Sequence, residues 1–194
     1  MTGPTSGPFE LRGINHLALV CSDMQKTIDF YENVLGLPVL MTVDLPNKMG
    51  YHFFFDIGNS DTLAFFWFTD GRPVVSAAMP TALPAQGDFL SPAGTMNHVA
   101  FNVSPDVIHD YAKKLRARGV ECSKVTKHDN SEQGWSKTDS STVFMKSLYF
   151  FDPDGILLEF SCWLKNPTTL TDSDVNYRPE ALVGANGGSP DGRA

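Results

Sequence analysis

The chain has 194 residues, enough for one domain or for two small ones sharing a core, and its 42% hydrophobic and 19% charged residues are ordinary for a soluble globular protein. Its formal net charge of −7 argues against nucleic acid as a partner, because there is no basic excess to neutralise phosphates; an anionic small molecule stays open where a bound metal inverts the local charge. Three scattered cysteines, no secretory leader pattern and no apolar run of membrane-spanning length give the expectation of a reducing, cytoplasmic setting without membrane contact.

Residues 1–11 read as a loose lead-in. The chain then repeats itself: Gly13-Ile14-Asn15-His16-Leu17-Ala18-Leu19 returns as Thr95-Met96-Asn97-His98-Val99-Ala100-Phe101, followed by Ser22 and Ser104 at matching places. Such a repeat marks a duplicated supersecondary unit. Each unit opens with a strand. In 14–21, His16, Ala18 and Val20 share one face, and Leu17, Leu19 and Cys21 the other. Ser22 with Gln25 reads as a capping box, and Met24, Ile28, Tyr31 and Leu35 form a helical stripe. In the second unit Ser104 caps, Pro105 opens the helix, and Val107, Ile108, Tyr111, Ala112 and Leu115 form the stripe. Strands are expected at 37–43, 50–56 and 62–68, then at 121–126, 142–151 and 156–162. The fold class is α+β, two tandem βαβββ modules at 12–68 and 95–165, joined by a Pro/Ala/Gly-rich linker at 69–94. A polar loop at 127–141 carries Trp135. The tail, 166–194, reads as disordered chain or as an arm lying on a partner.

Two observations carry chemistry. The same histidine, His16 and His98, stands at the same point of both repeats, so two modules packed about a pseudo-twofold would aim both imidazoles at one centre. The second is Tyr149-Phe150-Phe151-Asp152-Pro153-Asp154-Gly155-Ile156-Leu157-Leu158-Glu159-Phe160. Asp-Pro-Asp-Gly is a turn, and Glu159 follows inside an apolar strand. A carboxylate there is costly to bury unless a cation offsets it. Two histidines and one carboxylate leave open positions on a metal for a chelating substrate.

These residues resemble the vicinal oxygen chelate superfamily over about 12–165, most specifically through Tyr-x-x-Asp-Pro-x-Gly-x-x-x-Glu at 149–159. The resemblance implies paired modules forming a U-shaped cup, with one divalent metal held by His16, His98 and Glu159. Glyoxalase-like members have a further Glu or Gln at the end of module one. Aligning 62–66 with 156–160 puts Phe65 there, which cannot bind a metal. The remaining set looks like that of extradiol dioxygenases, implying iron(II), with manganese, zinc or nickel as other fits, and a small aromatic diol as substrate. Tyr149 would then orient the substrate. Ser140, Ser141 and Thr142 fill the window where that branch carries a proton-transferring histidine, leaving His128 or a water for the role. Phe53, Phe55, Phe65 and Trp67 are expected to line an aromatic pocket, with His52 turned away from it and His109 on the surface. The alternative is a metal-dependent transferase or isomerase, as in fosfomycin modification, although Ala18 lacks the hydroxyl of that branch and no arginine follows Glu159 before Arg178. A drug-binding resistance protein generally lacks the ligand triad. Family habit and the tail imply a homodimer.

Overall fold

The computed structural model describes residues 8–84, 86 and 90–170. Module one comprises β1 (His16–Cys21), α1 (Met24–Ile28), β2 (Val39–Asp44), β3 (Gly50–Asp56) and β4 (Thr62–Phe68); module two comprises β5 (Val99–Asn102), α2 (Ile108–Ala117), β6 (Thr126–His128), β7 (Trp135–Ser136), β8 (Met145–Phe151) and β9 (Leu157–Trp163). The sheets run β1-β4-β3-β2 and β5-β9-β8-β6-β7. In each, the first strand pairs in parallel with the last, and the remaining neighbours are antiparallel. This is βαβββ twice, with β7 as an addition: the polar loop folds back on β6 and pairs His128 with Trp135. Of the tail expected as disorder or an arm, 166–194, the part from 171 onward lies outside the described residues. Among the described residues no helix is long and apolar enough to cross a membrane.

Local details depart from the expected caps. Asp23, not Ser22, caps α1, its side chain accepting from Lys26 N–H at 3.1 Å. The helix continues as a π-helical segment over Asp29–Val34, in which Leu35 N–H bonds to Phe30 O, five residues back. This wider turn puts Phe30 and Tyr31, neighbours in sequence, both into the core. α2 starts later than expected, because 105–107 form a turn and Val107 takes the cap position without a side-chain bond. The strand expected at 121–126 is reduced to an isolated bridge, Cys122 to Phe150, before β6.

The alternation within each strand decides which face is buried. Leu17, Leu19 and Cys21 of β1, Phe53 and Phe55 of β3, and Leu63, Phe65 and Trp67 of β4 pack with Phe30 and Tyr31. Phe101 of β5, Leu148 and Phe150 of β8, and Leu158 and Phe160 of β9 pack with Ile108, Ala112 and Leu115 of α2. All belong to one apolar cluster, so the two modules share a core through their helix-bearing faces. His16, Ala18 and Val20, and likewise His98, Ala100 and Asn102, lie on the opposite, exposed faces.

The Asp-Pro-Asp-Gly turn bolts the modules together. Asp152 Oδ1 accepts from the N–H groups of Asp154 and Ile156, closing the turn, with Gly155 at φ +82°. Its other oxygen, Oδ2, accepts from the Tyr31 hydroxyl at 3.1 Å. Asp154 accepts from both the backbone N–H and the hydroxyl of Ser22. Burial pushes the Asp152 carboxyl up to about 6, against 3.8 for a free aspartate. The folded chain therefore keeps a proton that the unfolded chain loses between these values. This contribution to stability is present below pH 3.8 and is lost as pH rises through about 6. Denaturant titrations of wild type and Asp152→Asn should show it: the difference in unfolding free energy should move against wild type by up to about 3 kcal/mol between pH 4 and pH 7. A pH-independent difference would contradict this account.

Candidate metal centre

Glu159 sits mid-strand in β9 with 2% of its surface exposed. Its Oε2 lies 2.8 Å from Nε2 of His98, which stands just before β5, the parallel neighbour of β9. Oε1 is buried and has no hydrogen-bond partner. On the other side of the ring, His98 Nδ1–H donates to Asn97 Oδ1 at 2.7 Å, and Asn97 Nδ2 donates to Ser91 Oγ at 3.1 Å, which fixes the amide. The Nε2 of His98 is thereby aimed at the carboxylate. Module one repeats the device, with His16 Nδ1–H donating to Asn15 Oδ1 at 2.8 Å. A backbone or amide oxygen on the far nitrogen is the usual way a ligand imidazole is oriented.

Around this pair, cross-strand register gathers further groups on the same face. Tyr149 is directly opposite Glu159, and Ser147 opposite Ser161. The Tyr149 ring meets the His98 ring edge-on, with centroids 5.8 Å apart. His128 Nε2 lies 2.9 Å from Ser147 Oγ. Met145 and Trp163 pair next along the strands. Leu83 of the linker covers Tyr149 and Leu157 at the other end.

The electrostatics follow. Burial pushes the Glu159 carboxyl up, but His98 at 2.8 Å and the nearby hydroxyls of Ser147 and Ser161 outweigh it, so it titrates below the ordinary carboxylate range. Burial, then the Glu159 charge, pushes the Tyr149 hydroxyl up to about 12, so it remains a donor at neutral pH. Burial lowers the pKa of His128, and the Glu159 charge partly opposes it. The three cysteines are buried and unpaired; burial raises each thiol, Cys21 to about 11. None is a ready thiolate.

The residues fit a divalent cation. A buried carboxylate oxygen without a partner is what a bound cation would satisfy. The 2.8 Å between Nε2 and Oε2 approaches the separation of about 3 Å between adjacent ligands on one first-row ion. One chain does not assemble the whole expected set, however. Among the described residues no three of His, Cys, Asp and Glu are grouped closely enough to hold a metal. His16 stands on sheet one, whereas His98 and Glu159 stand at sheet two.

The expected pocket aromatics are also corrected. Phe53, Phe55 and Phe65 are fully buried against Tyr31, and Trp67 stacks on Tyr51 on that same side. The reason is a one-residue slip in the alignment of the modules, which in a strand exchanges the two faces. Ala18 pairs with Ala64, as Ala100 pairs with Glu159, so Ala64 and not Phe65 is the counterpart of Glu159. Phe54, opposite Ala64, is the counterpart of Tyr149. Alanine binds no metal either, so module one still offers no fourth ligand at this position. His52, expected to turn away, lies on the histidine face with Phe54 and Phe66. Ser147 was not singled out from the sequence; only register places it beside Glu159. His109 is exposed on α2, as expected.

The metal-free protein offers a direct check of these charges. Because Glu159 raises the His128 pKa, Glu159→Gln should lower it further, which an NMR titration of the imidazole protons would record; a rise would contradict the arrangement.

The family model described as the Glyoxalase/Bleomycin resistance protein/Dioxygenase superfamily matches residues 13–160. An uncharacterized protein, YwkD, of Bacillus subtilis (strain 168) is 25% identical over 149 residues, covering 77% of this chain and 95% of that protein. The metallothiol transferase FosB of Lysinibacillus sphaericus (strain C3-41) is 27% identical over 172 residues, covering 89% of this chain and 94% of its own. Among solved structures, a glyoxalase family protein from Enterococcus faecalis aligns with a TM-score of 0.52 and 28% identity, covering 77% of this chain and 97% of its own.

Proposed function

Because the chain belongs to the glyoxalase/bleomycin resistance protein/dioxygenase superfamily, also called the vicinal oxygen chelate superfamily, we propose that it is a metal-dependent enzyme acting on a small chelating molecule with an apolar or aromatic body. The observation that carries this reading is the buried Glu159, with one oxygen opposite His98 and the other unpartnered. His98 and Glu159 would hold a divalent metal together with His16 of a second copy. The exposed face of sheet one supports a shared site, since Val20 on β1 and Met41 and Val43 on β2, at the two edges of the histidine face, are each about half exposed. When bound, the metal supplies Lewis acidity toward a substrate oxygen. The chain's own residues do the rest. Tyr149, kept protonated, donates to a substrate oxygen. His128, with lowered basicity and joined to Ser147, takes up or returns a proton. Met145 and Trp163 give the site an apolar end.

The transferase or isomerase class is the leading assignment, and the likeness to a metallothiol transferase supports it. The buried cysteines make any transferred thiol a co-substrate and not a residue of the chain. No lysine or arginine lies on the described histidine face of β8 and β9, so a phosphonate is a poor fit. A ring-cleaving dioxygenase is the second reading, favoured by Tyr149 directly opposite Glu159 and by His128 on the same face.

Two measurements test this. His16→Ala and Glu159→Ala should each abolish tight Mn²⁺ binding in calorimetry. Mixing the two variants after subunit exchange should restore about a quarter of the wild-type sites, because a mixed dimer rebuilds one complete site; a site built within one chain would restore none. Reaction class is read from oxygen. Turnover of a thiol or isomerisable substrate in anaerobic Mn²⁺ protein supports the leading reading, whereas O₂ uptake with a catechol by the Fe²⁺ protein moves the assignment to the dioxygenase.

A further inference from the structure

His52 lies on β3 directly opposite Phe66 of β4, and Phe54 is opposite Ala64. In the parallel register Ala64 meets Ala18 and Thr62 meets His16. By alternation, His16, Ala18, His52, Phe54, Ala64 and Phe66 share one face. The His52 ring stacks on Phe66, with centroids 3.7 Å apart and planes at 12°, and meets Phe54 edge-on at 4.3 Å. Phe54 in turn meets the His16 ring at 5.9 Å. A continuous aromatic surface thus leads from His16 to His52.

The ring is also oriented. His52 Nδ1 lies 3.1 Å from the carbonyl oxygen of Phe65. A carbonyl only accepts, so Nδ1 carries the proton, and in the neutral ring Nε2 keeps its lone pair. A histidine merely filling space on a sheet would need no such anchor. Register makes His52 the counterpart of Ser147, which in module two joins His128 beside Glu159. Both modules therefore put a hydrogen-bonding group at the equivalent place, and in module one no metal-facing carboxylate accounts for it.

Resting on the reading that this face of sheet one is a wall of the site, we propose that His52 is a substrate-contacting, specificity-determining residue. Its Nε2 accepts a hydrogen bond from a hydroxyl on the body of the substrate, beyond the two oxygens that chelate the metal, while Phe54 and Phe66 pack against that body. The side chains beside His52 on this face, Phe54 and Phe66, are aromatic, so the hydroxyl is one on an uncharged ring or chain.

The test uses anaerobic Mn²⁺-loaded full-length protein with two probes, pyrogallol and 3-methylcatechol, in which a methyl replaces the third hydroxyl. Calorimetry should show wild type preferring pyrogallol by about tenfold, the value of one hydrogen bond to a half-buried acceptor. His52→Phe keeps the stacked ring and removes the acceptor. It should abolish the preference, leave 3-methylcatechol binding unchanged and leave Mn²⁺ affinity within about twofold. His52→Gln, which retains an acceptor, should keep part of the preference. Preference surviving in His52→Phe overturns the proposal. So does a large loss of Mn²⁺ affinity in that variant, which would make His52 a metal ligand. If wild type binds Mn²⁺ but neither probe, the chelating-substrate reading of the site falls, and the role of His52 falls with it.

Discussion

A strand has two faces, and in this protein each sheet commits one to its helix and leaves its histidines on the other. The inner faces carry phenylalanine, leucine and tyrosine in one common apolar cluster. Burying them is the main favourable term in folding. That commitment leaves the histidines, Glu159, Phe54 and Phe66 on the opposite faces of the two sheets. A change of one residue in the pairing of β3 with β4 would exchange His52 and Phe54 for Phe53 and Phe55, and nothing else about the sequence would need to alter. Position on the pleat, more than residue type, separates the site from the core.

On sheet two the outward face is polar at its centre and apolar at its ends. Glu159 is acceptable there because His98, Ser147 and Ser161 surround it. The same burial acts differently on each neighbour: it keeps the Tyr149 proton in place and makes the His128 proton easier to lose. A donor and an acceptor of protons are thus set side by side by one local environment. Sheet one has no equivalent charge. Ala64 stands where Glu159 stands in the repeat, and the surface around it is aromatic. The duplication has left two faces of different character, one with a carboxylate at its centre and one that is aromatic.

Much of this was legible in the sequence. The Asn-His repeats gave the two modules, and Asp-Pro-Asp-Gly followed by a glutamate in an apolar strand gave the most informative site residue. The asparagines were visible as part of the repeat, but their work as hydrogen-bond acceptors for Nδ1 needed coordinates. The pocket-lining aromatics were misassigned because 50–56 and 62–68 are rich in phenylalanine on both faces, so hydrophobicity alone could not reveal the parity. Ser147 carries no motif. The separation of His16 from Glu159 within one chain depends on how the modules dock, which no local pattern encodes.

The bond between Ser22 and Asp154 spans 132 positions of sequence. At ribosomal rates of about 5–20 residues per second, module one emerges roughly 5–20 seconds before its partner surfaces are made. During that interval the side of α1 and β1 that module two will cover is bare. The nascent chain therefore passes through a stage with apolar surface exposed, and a slow-translating stretch between the modules would lengthen that stage without altering the finished protein.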